Sequence, residues 1–277
     1  MDAQAYLAEC AVAVDGLLDR AVPPSEEEPR RLHQAMRHLL FPGGKRLRPA
    51  LACAAAGAVG SSREAALPMA AAVELVHTYS LVHDDLPCMD DDDTRRGRPT
   101  VHVAFGEALA VLAGDALLAA AFEVLASAEA PAAQRLAALA ELAQASGSRQ
   151  LVGGQADDLA ATTPRDRETI ESVHRRKTAA LISAAVVGGG VLGGGDEPAL
   201  RRLRRFGQAV GLGFQIADDL LDRDEDAGCS LVAVVGVEAA RAQADELLTT
   251  ALEELEAFGQ RAEPLRELGR FAVRRDR

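Results

Sequence analysis

Apolar residues recur three and four positions apart through most of the chain, a pattern that predicts helices. Residues 3–20 form one amphipathic stretch, stopped by Pro23-Pro24. Ser25 followed by Glu26, Glu27 and Glu28 reads as an N-cap with acids in the first turn of a helix reaching Leu40. Phe41-Pro42-Gly43-Gly44 breaks the pattern, a short helix follows Pro49, and a long one runs over 62–85 to Pro87. Further helices are predicted over 105–128, 132–152, 166–188, 197–223 and 236–257, with a last segment to Phe271. The glycine runs 188–190 and 193–195 read as a loose connection between helices. Only Val232–Val235 resembles a strand, and it is too short to build a sheet. With no break in composition, residues 1–277 are expected to form one all-α domain.

Composition sharpens this picture in two ways. The 277 residues are 48% apolar but 3% aromatic, with no Trp, so Ala, Leu and Val must carry the core, as close-packed helices allow. The net charge of −12 argues against a nucleic-acid partner. No run of about eighteen uninterrupted apolar residues predicts a membrane span. The Met1-Asp2-Ala3-Gln4 start does not resemble a signal peptide, and four widely spaced cysteines suit a reducing compartment, so a cytoplasmic location is expected. Of the 30 basic residues only Lys45 and Lys177 are lysines, which marks both for tasks that need a compact ammonium.

The candidate chemistry begins with carboxylates. Asp84-Asp85-Leu86-Pro87-Cys88-Met89-Asp90-Asp91-Asp92-Asp93 places six acids in ten residues at the end of an apolar helix. Such a run alone is usually a solvated loop. Here Thr94-Arg95-Arg96-Gly97-Arg98 follows at once, and a second cluster, Asp218-Asp219-Leu220-Leu221-Asp222, closes another apolar helix. Asp218 and Asp222 are one turn apart and share a face. Asp84 and Asp90 are six apart, so they share a face only if Pro87-Cys88 bulges out of the helix. Paired oxygen ligands without His or Cys suit magnesium and a polyphosphate.

Cations answer them. Gly43-Gly44-Lys45-Arg46-Leu47-Arg48-Pro49 sets three in a glycine-rich loop at a helix start, an anion site without the spacing of a P-loop. Arg175-Arg176-Lys177-Thr178 opens an apolar segment, and His77 lies two helical turns before Asp84. These cations exceed what one diphosphate requires, so two anionic substrates are expected.

In this order the motifs GGKRLRP at 43–49, HTYSLVHDDLPCMDDDDTRRGRPT at 77–100, FGEALAVLAGDALL at 105–118, GGQADDL at 153–159, RRKTAAL at 175–181 and FQIADDLLD at 214–222 resemble the short-chain trans-isoprenyl diphosphate synthases, especially bacterial farnesyl diphosphate synthases. The resemblance implies a large helical bundle of the isoprenoid-synthase type around a central cavity, acting as a homodimer. It implies head-to-tail condensation of isopentenyl diphosphate with dimethylallyl or geranyl diphosphate to give farnesyl diphosphate. Asp84, Asp85, Asp90 and Asp218 would bind three magnesium ions, with Asp219 and Asp222 in support. Arg95, Lys177, Thr178 and Gln215 would serve the allylic side, and Lys45, Arg48, His77 and Arg96 the isopentenyl side. The leaving diphosphate would act as base, while the Lys177 and Thr178 carbonyls and Gln215 would stabilise positive charge. Tyr79, with small Ser80 beside it, would floor the product pocket. Unlike the family, residues 223–231 are lysine-free, which bears on how the leaving diphosphate is clamped. The competing readings are a geranylgeranyl diphosphate synthase, a non-catalytic partner subunit of another synthase, and a terpene cyclase.

Overall fold

Fourteen α-helices account for most of the described chain, a computed structural model that covers residues 2–160, 166–221 and 229–274. They are α1 (Ala3–Ala21), α2 (Arg30–Leu40), α3 (Leu47–Ala58), α4 (Leu67–Asp84), α5 (Val101–Phe105), α6 (Glu107–Ala126), α7 (Ala132–Ser146) and α8 (Leu151–Leu159). After these come α9 (Arg167–His174), α10 (Ala180–Leu192), α11 (Glu197–Leu221), α12 (Leu231–Val235), α13 (Val237–Glu254) and α14 (Glu263–Val273). A small hairpin, β1 (Thr94–Arg95) with β2 (Arg98–Pro99), follows the first aspartate motif. One hydrophobic cluster runs from Leu7 to Val273.

At the centre stands α10, packed by α3, α4, α7 and α11, with every residue from Leu181 to Leu192 buried. Of the glycines expected to form a linker, Gly188–Gly190 lie inside this helix. A Cβ on Gly189 would come 2.1 Å from the Ala52 carbonyl oxygen of α3, and one on Gly188 would meet Met69 of α4 at 2.5 Å. These glycines let helix backbones touch, and that packing overrides their poor helix propensity. Only Gly193–Gly195 forms the connection.

Other boundaries moved for local reasons. Helix α2 starts at Arg30, not near Ser25, because Pro29 inside a helix begun at Ser25 would clash with the carbonyl four residues back. Gly106 (φ 94°) separates α5 from α6, and Gly147 ends α7 before α8 begins. The stretch over 166–188 is interrupted by a π-helical turn, Arg175–Ala179, and Val232–Val235 is helical, within α12. Residues Arg63–Asp84 and Glu107–Ala126 are each long and apolar enough to cross a bilayer. The first is 72% buried inside the fold and belongs to its core; the second, α6, is 39% buried and keeps an apolar face outside.

Close packing at Gly189 can be tested against a glycine with room. Gly189→Ala should destabilise the protein by about 1–3 kcal/mol through overpacking, read as a lower urea midpoint. Gly57→Ala in α3, where a Cβ meets nothing within 4 Å, should be neutral or gain up to about 1 kcal/mol. Equal effects at the two sites would contradict the packing argument.

Candidate active site

Both aspartate motifs sit at helix C-termini, those of α4 and α11. The helix dipole is negative there, so carboxylates are disfavoured unless a cation compensates. After Asp84 the chain leaves the helix and returns: the Asp90 N–H donates to the Asp84 carbonyl at 2.8 Å, enclosing exposed Pro87 and Cys88. The excursion brings Asp90 back beside Asp84. Burial raises the Asp84 carboxyl to about 7, against the pull of Lys177 and with help from Asp90. Burial raises Asp90 as well, again against Lys177 and here with Asp158 adding.

Asp85 is buried, and its Oδ1 accepts from Arg95 Nε at 2.6 Å, while Arg95 also reaches Asp92 at 3.1 Å. Asp85 therefore aims Arg95, while its Oδ2 is buried with no hydrogen-bond partner among the described residues.

The opposite wall comes from α8, the π-turn and α11. Lys177 Nζ lies 2.7 Å from Asp158 Oδ2. Burial disfavours the Lys177 charge, but Asp158, then Asp84 and Asp90, raise its proton affinity above the ordinary lysine value. Gln155 Nε2 reaches toward Asp90 at 3.5 Å. Helix α8 comes this close because Gly154 has no side chain; a Cβ there would stand 2.4 Å from the Lys177 main-chain nitrogen. The sequence reading did not single out Asp158 and Gln155, whose only signal was the GGQADDL motif.

Thr178 donates to Gln215 Oε1 at 2.8 Å, and Gln215 donates to Asp219 Oδ1 at 3.2 Å. The other Asp219 oxygen accepts the Leu231 N–H at 2.7 Å, with His174 Nε2 at 3.8 Å. Both Asp219 oxygens are thus engaged in holding the Gln215 amide and the start of α12. The structure shows an anchoring task for Asp219. Asp222 and most of the lysine-free segment lie outside the described residues.

Arg48, His77, Leu81, Arg95, Arg96, Thr178, Phe214, Gln215 and Asp218 line one open cavity of about 410 Å³. His77 is held neutral, its proton affinity pushed well below the ordinary histidine value by burial and then by Arg48, Arg96 and Arg95. Arg48 lies over the Phe214 ring at 5.9 Å. Lys45 does not line this cavity: it is exposed, with Nζ 5.8 Å from the Phe271 ring. The third cation of the glycine loop, Arg46, is buried away from it, pairing with Glu74 at 2.6 Å and Asp15 at 2.7 Å. Gly43 and Gly44 make room for guanidinium groups, since a Cβ on either would meet Arg46 at 2.0 Å or Arg96 at 2.7 Å.

Tyr79 is 5% exposed, stands edge-on to His83 at 5.8 Å, and its hydroxyl meets no hydrogen-bond partner among the described residues. Ser80 spends its hydroxyl on the His77 carbonyl at 3.0 Å.

Among the described residues no three side chains close a metal cage on their own. The donor set still fits magnesium, which binds through one or two carboxylates and completes its shell with water and phosphate. Burial is the main cause of the raised Asp84 carboxyl, and a cation bound there would favour its charged form.

The raised carboxyl predicts a stability effect. A carboxyl whose folded pKa exceeds its unfolded value of 3.8 costs stability once the pH rises above that value, and fully above about 7. Asp84→Asn cannot ionise. In metal-free protein it should therefore be more stable than wild type at pH 8, by about 2 kcal/mol after allowing for residual solvent. At pH 4 the gain should vanish. A gain independent of pH would refute the uncompensated charge.

The sequence model of the family described as polyprenyl synthetase matches residues 29–228. The chain is 44% identical to geranylgeranyl pyrophosphate synthase 7, chloroplastic, of Arabidopsis thaliana, over 99% of this chain and 84% of that one. It is 42% identical to the geranylfarnesyl diphosphate synthase, chloroplastic, of Leucosceptrum canum, over 100% of this chain and 81% of that one. Among solved structures, an FPP/GFPP synthase from Zymomonas mobilis superposes with a TM-score of 0.91 at 42% identity, covering 98% of both chains. Motif order, fold and site agree with these likenesses: the chain belongs to the polyprenyl synthetase family and is a prenyltransferase.

Proposed function

We propose that the chain condenses isopentenyl diphosphate head-to-tail with allylic diphosphates in a magnesium-dependent reaction, with geranylgeranyl diphosphate as the main product. One observation carries the reaction. A single cavity is lined by Arg48, neutral His77 and Arg96 together with Asp218, Gln215 and Thr178, so two diphosphates of different character fit it. Asp84, Asp90 and Asp218 would hold the metal ions, three in number as the resemblance implies. Bound magnesium neutralises the charge that develops on the leaving diphosphate.

The protein's own groups do the remainder. Lys177, held charged by Asp158, binds the allylic diphosphate, and Arg95, aimed by Asp85, assists. Arg48, His77 and Arg96 receive isopentenyl diphosphate, and the resemblance adds Lys45 to them. The π-turn withdraws main-chain carbonyls near Lys177 and Thr178 from the ordinary helical ladder. With the Gln215 amide oxygen they present negative dipoles to the allylic cation. The isopentenyl double bond attacks that cation, and the proton released passes to the departing diphosphate.

The twenty-carbon product is supported by the geranylgeranyl synthases among the relatives. Tyr79 favours a second reading, farnesyl diphosphate: its buried ring lies on α4 five residues before Asp84, where it would floor the pocket.

We take residues 1–277 as one catalytic domain, since one core cluster joins α1 to α14. We also propose a homodimer built on α6 and α5, which leave Leu112 52%, Val103 49% and Val111 41% exposed. A cytoplasmic location belongs to this proposal as well; the designation chloroplastic is that of the plant relatives, and cell fractionation would decide it.

Incubation with isopentenyl and dimethylallyl diphosphates should give a mainly twenty-carbon product, lost with EDTA and restored by magnesium. Tyr79→Ala should lengthen the product by one five-carbon unit or more, compared in soluble, helical protein. A wild-type product stopping at fifteen carbons would favour the Tyr79 reading, and no condensation at all would overturn the function. Light scattering should give twice the 29.1 kDa chain mass; a monomer would refute the dimer.

A further inference from the structure

Arg98 stands next to the site without lining its cavity. It belongs to a hairpin that has little means of holding itself. β1 and β2 have two residues each, paired as Thr94 with Pro99 and Arg95 with Arg98, far below what an isolated hairpin needs in water. Its tip, Arg96-Gly97, has φ 54° and 72°, and the first of these is a left-handed conformation that an arginine adopts only at a cost. The directly opposed residues Arg95 and Arg98 carry like charge, a destabilising pair unless each finds its own acceptor.

Arg95 has Asp85 and Asp92. Arg98 reaches across to the end of α2: its Nη1 donates to the His38 carbonyl at 3.0 Å and to the Phe41 carbonyl at 2.9 Å. These belong to the last turn and C-cap of α2, where carbonyls lack helical partners. His38 completes the contact. Its Nε2 lies 2.8 Å from the Pro99 carbonyl, which only accepts, so Nε2 carries the proton and Nδ1 keeps its lone pair. That lone pair faces Arg98 Nη2 at 3.4 Å. Donors thus run in both directions between the hairpin and α2, immediately before the loop that carries Lys45 and Arg48.

We infer that Arg98 and His38 are positioning residues: together they clamp the Arg96 hairpin to the Gly43–Arg48 loop, and so set the affinity for the diphosphate that binds between them without metal. This rests on the proposed function. The effect should be selective. Arg95 has an independent anchor in buried Asp85, whereas Arg96 makes no ion pair among the described residues and packs on Gly44. Loss of the clamp therefore frees Arg96 and leaves Arg95 in place.

The test compares wild type with Arg98→Ala, Arg98→Lys and His38→Phe, the last retaining a ring against Phe105. In Arg98→Ala the KM for isopentenyl diphosphate should rise about tenfold, while kcat and the allylic KM stay within about twofold. Arg98→Lys, which keeps a donor to the carbonyls, should recover part of the loss, and His38→Phe should fall between. Calorimetric titration of isopentenyl diphosphate into each protein in EDTA should give the same order of Kd. A parallel rise in both KM values, or only a lower melting temperature, overturns the clamp. If wild type binds isopentenyl diphosphate and Arg98→Ala binds it equally well, the clamp also fails. If wild type neither binds nor condenses it, the proposed function fails first.

Discussion

Carboxylates gathered at the negative ends of two helices, partly out of water, impose the main constraint on this protein. Asp84 ends α4, Asp90 follows it and Asp218 lies in the last turn of α11; at the first pair burial and neighbouring acids both oppose ionisation. Among the described residues Lys177, and after it Arg95, answer the first pair, and Asp158 shares that lysine. Much of the architecture around the cavity serves to hold charges that would otherwise separate or protonate. The Asp84–Asp90 main-chain bond, the π-turn under Lys177 and the glycine contact at Gly154 each keep one charged group at its place. The deficit that remains is a demand for external cations, and a divalent metal carried by a polyphosphate meets it.

Rigidity elsewhere makes the arrangement possible. The buried α10 carries the π-turn at its start, and its glycines let α3 and α4 close on it at backbone distance. The first motif and Lys177 thereby stand on helices that share one core. The second motif is braced differently, by the Thr178–Gln215–Asp219–Leu231 chain of hydrogen bonds. Of its two leading aspartates, Asp219 belongs to that chain and Asp218 lines the cavity.

Much of this was legible in the residues. Helical periodicity located most of the helices, and the Pro87-Cys88 insertion implied that Asp90 returns to Asp84. The spacing of His77 from Asp84 placed it on the cavity face, where it lies. What escaped depends on contacts distant in sequence. Gly188–Gly190 has the composition of a linker, and only the approach of Ala52 and Met69 makes it a helix. Ser25 carries every mark of a cap, yet Pro29 four residues on forbids the helix it would start. Asp158 lies nineteen residues from Lys177, and nothing local marks it as that lysine's partner. Lys45, Arg46 and Arg48 look alike in the sequence, but burial against Glu74 and Asp15 makes Arg46 structural.

The central claim is that the two aspartate motifs and a diphosphate together capture metal ions that neither motif holds alone. Crystals grown with manganese and a non-reactive thiodiphosphate analogue of the allylic substrate, examined by anomalous diffraction, test it directly. The account predicts metal peaks bridging the analogue to Asp84 and Asp90 on one wall and to Asp218 on the other, and none there when the analogue is omitted. A diphosphate held by arginine and lysine alone, or metal at only one of the motifs, would contradict it.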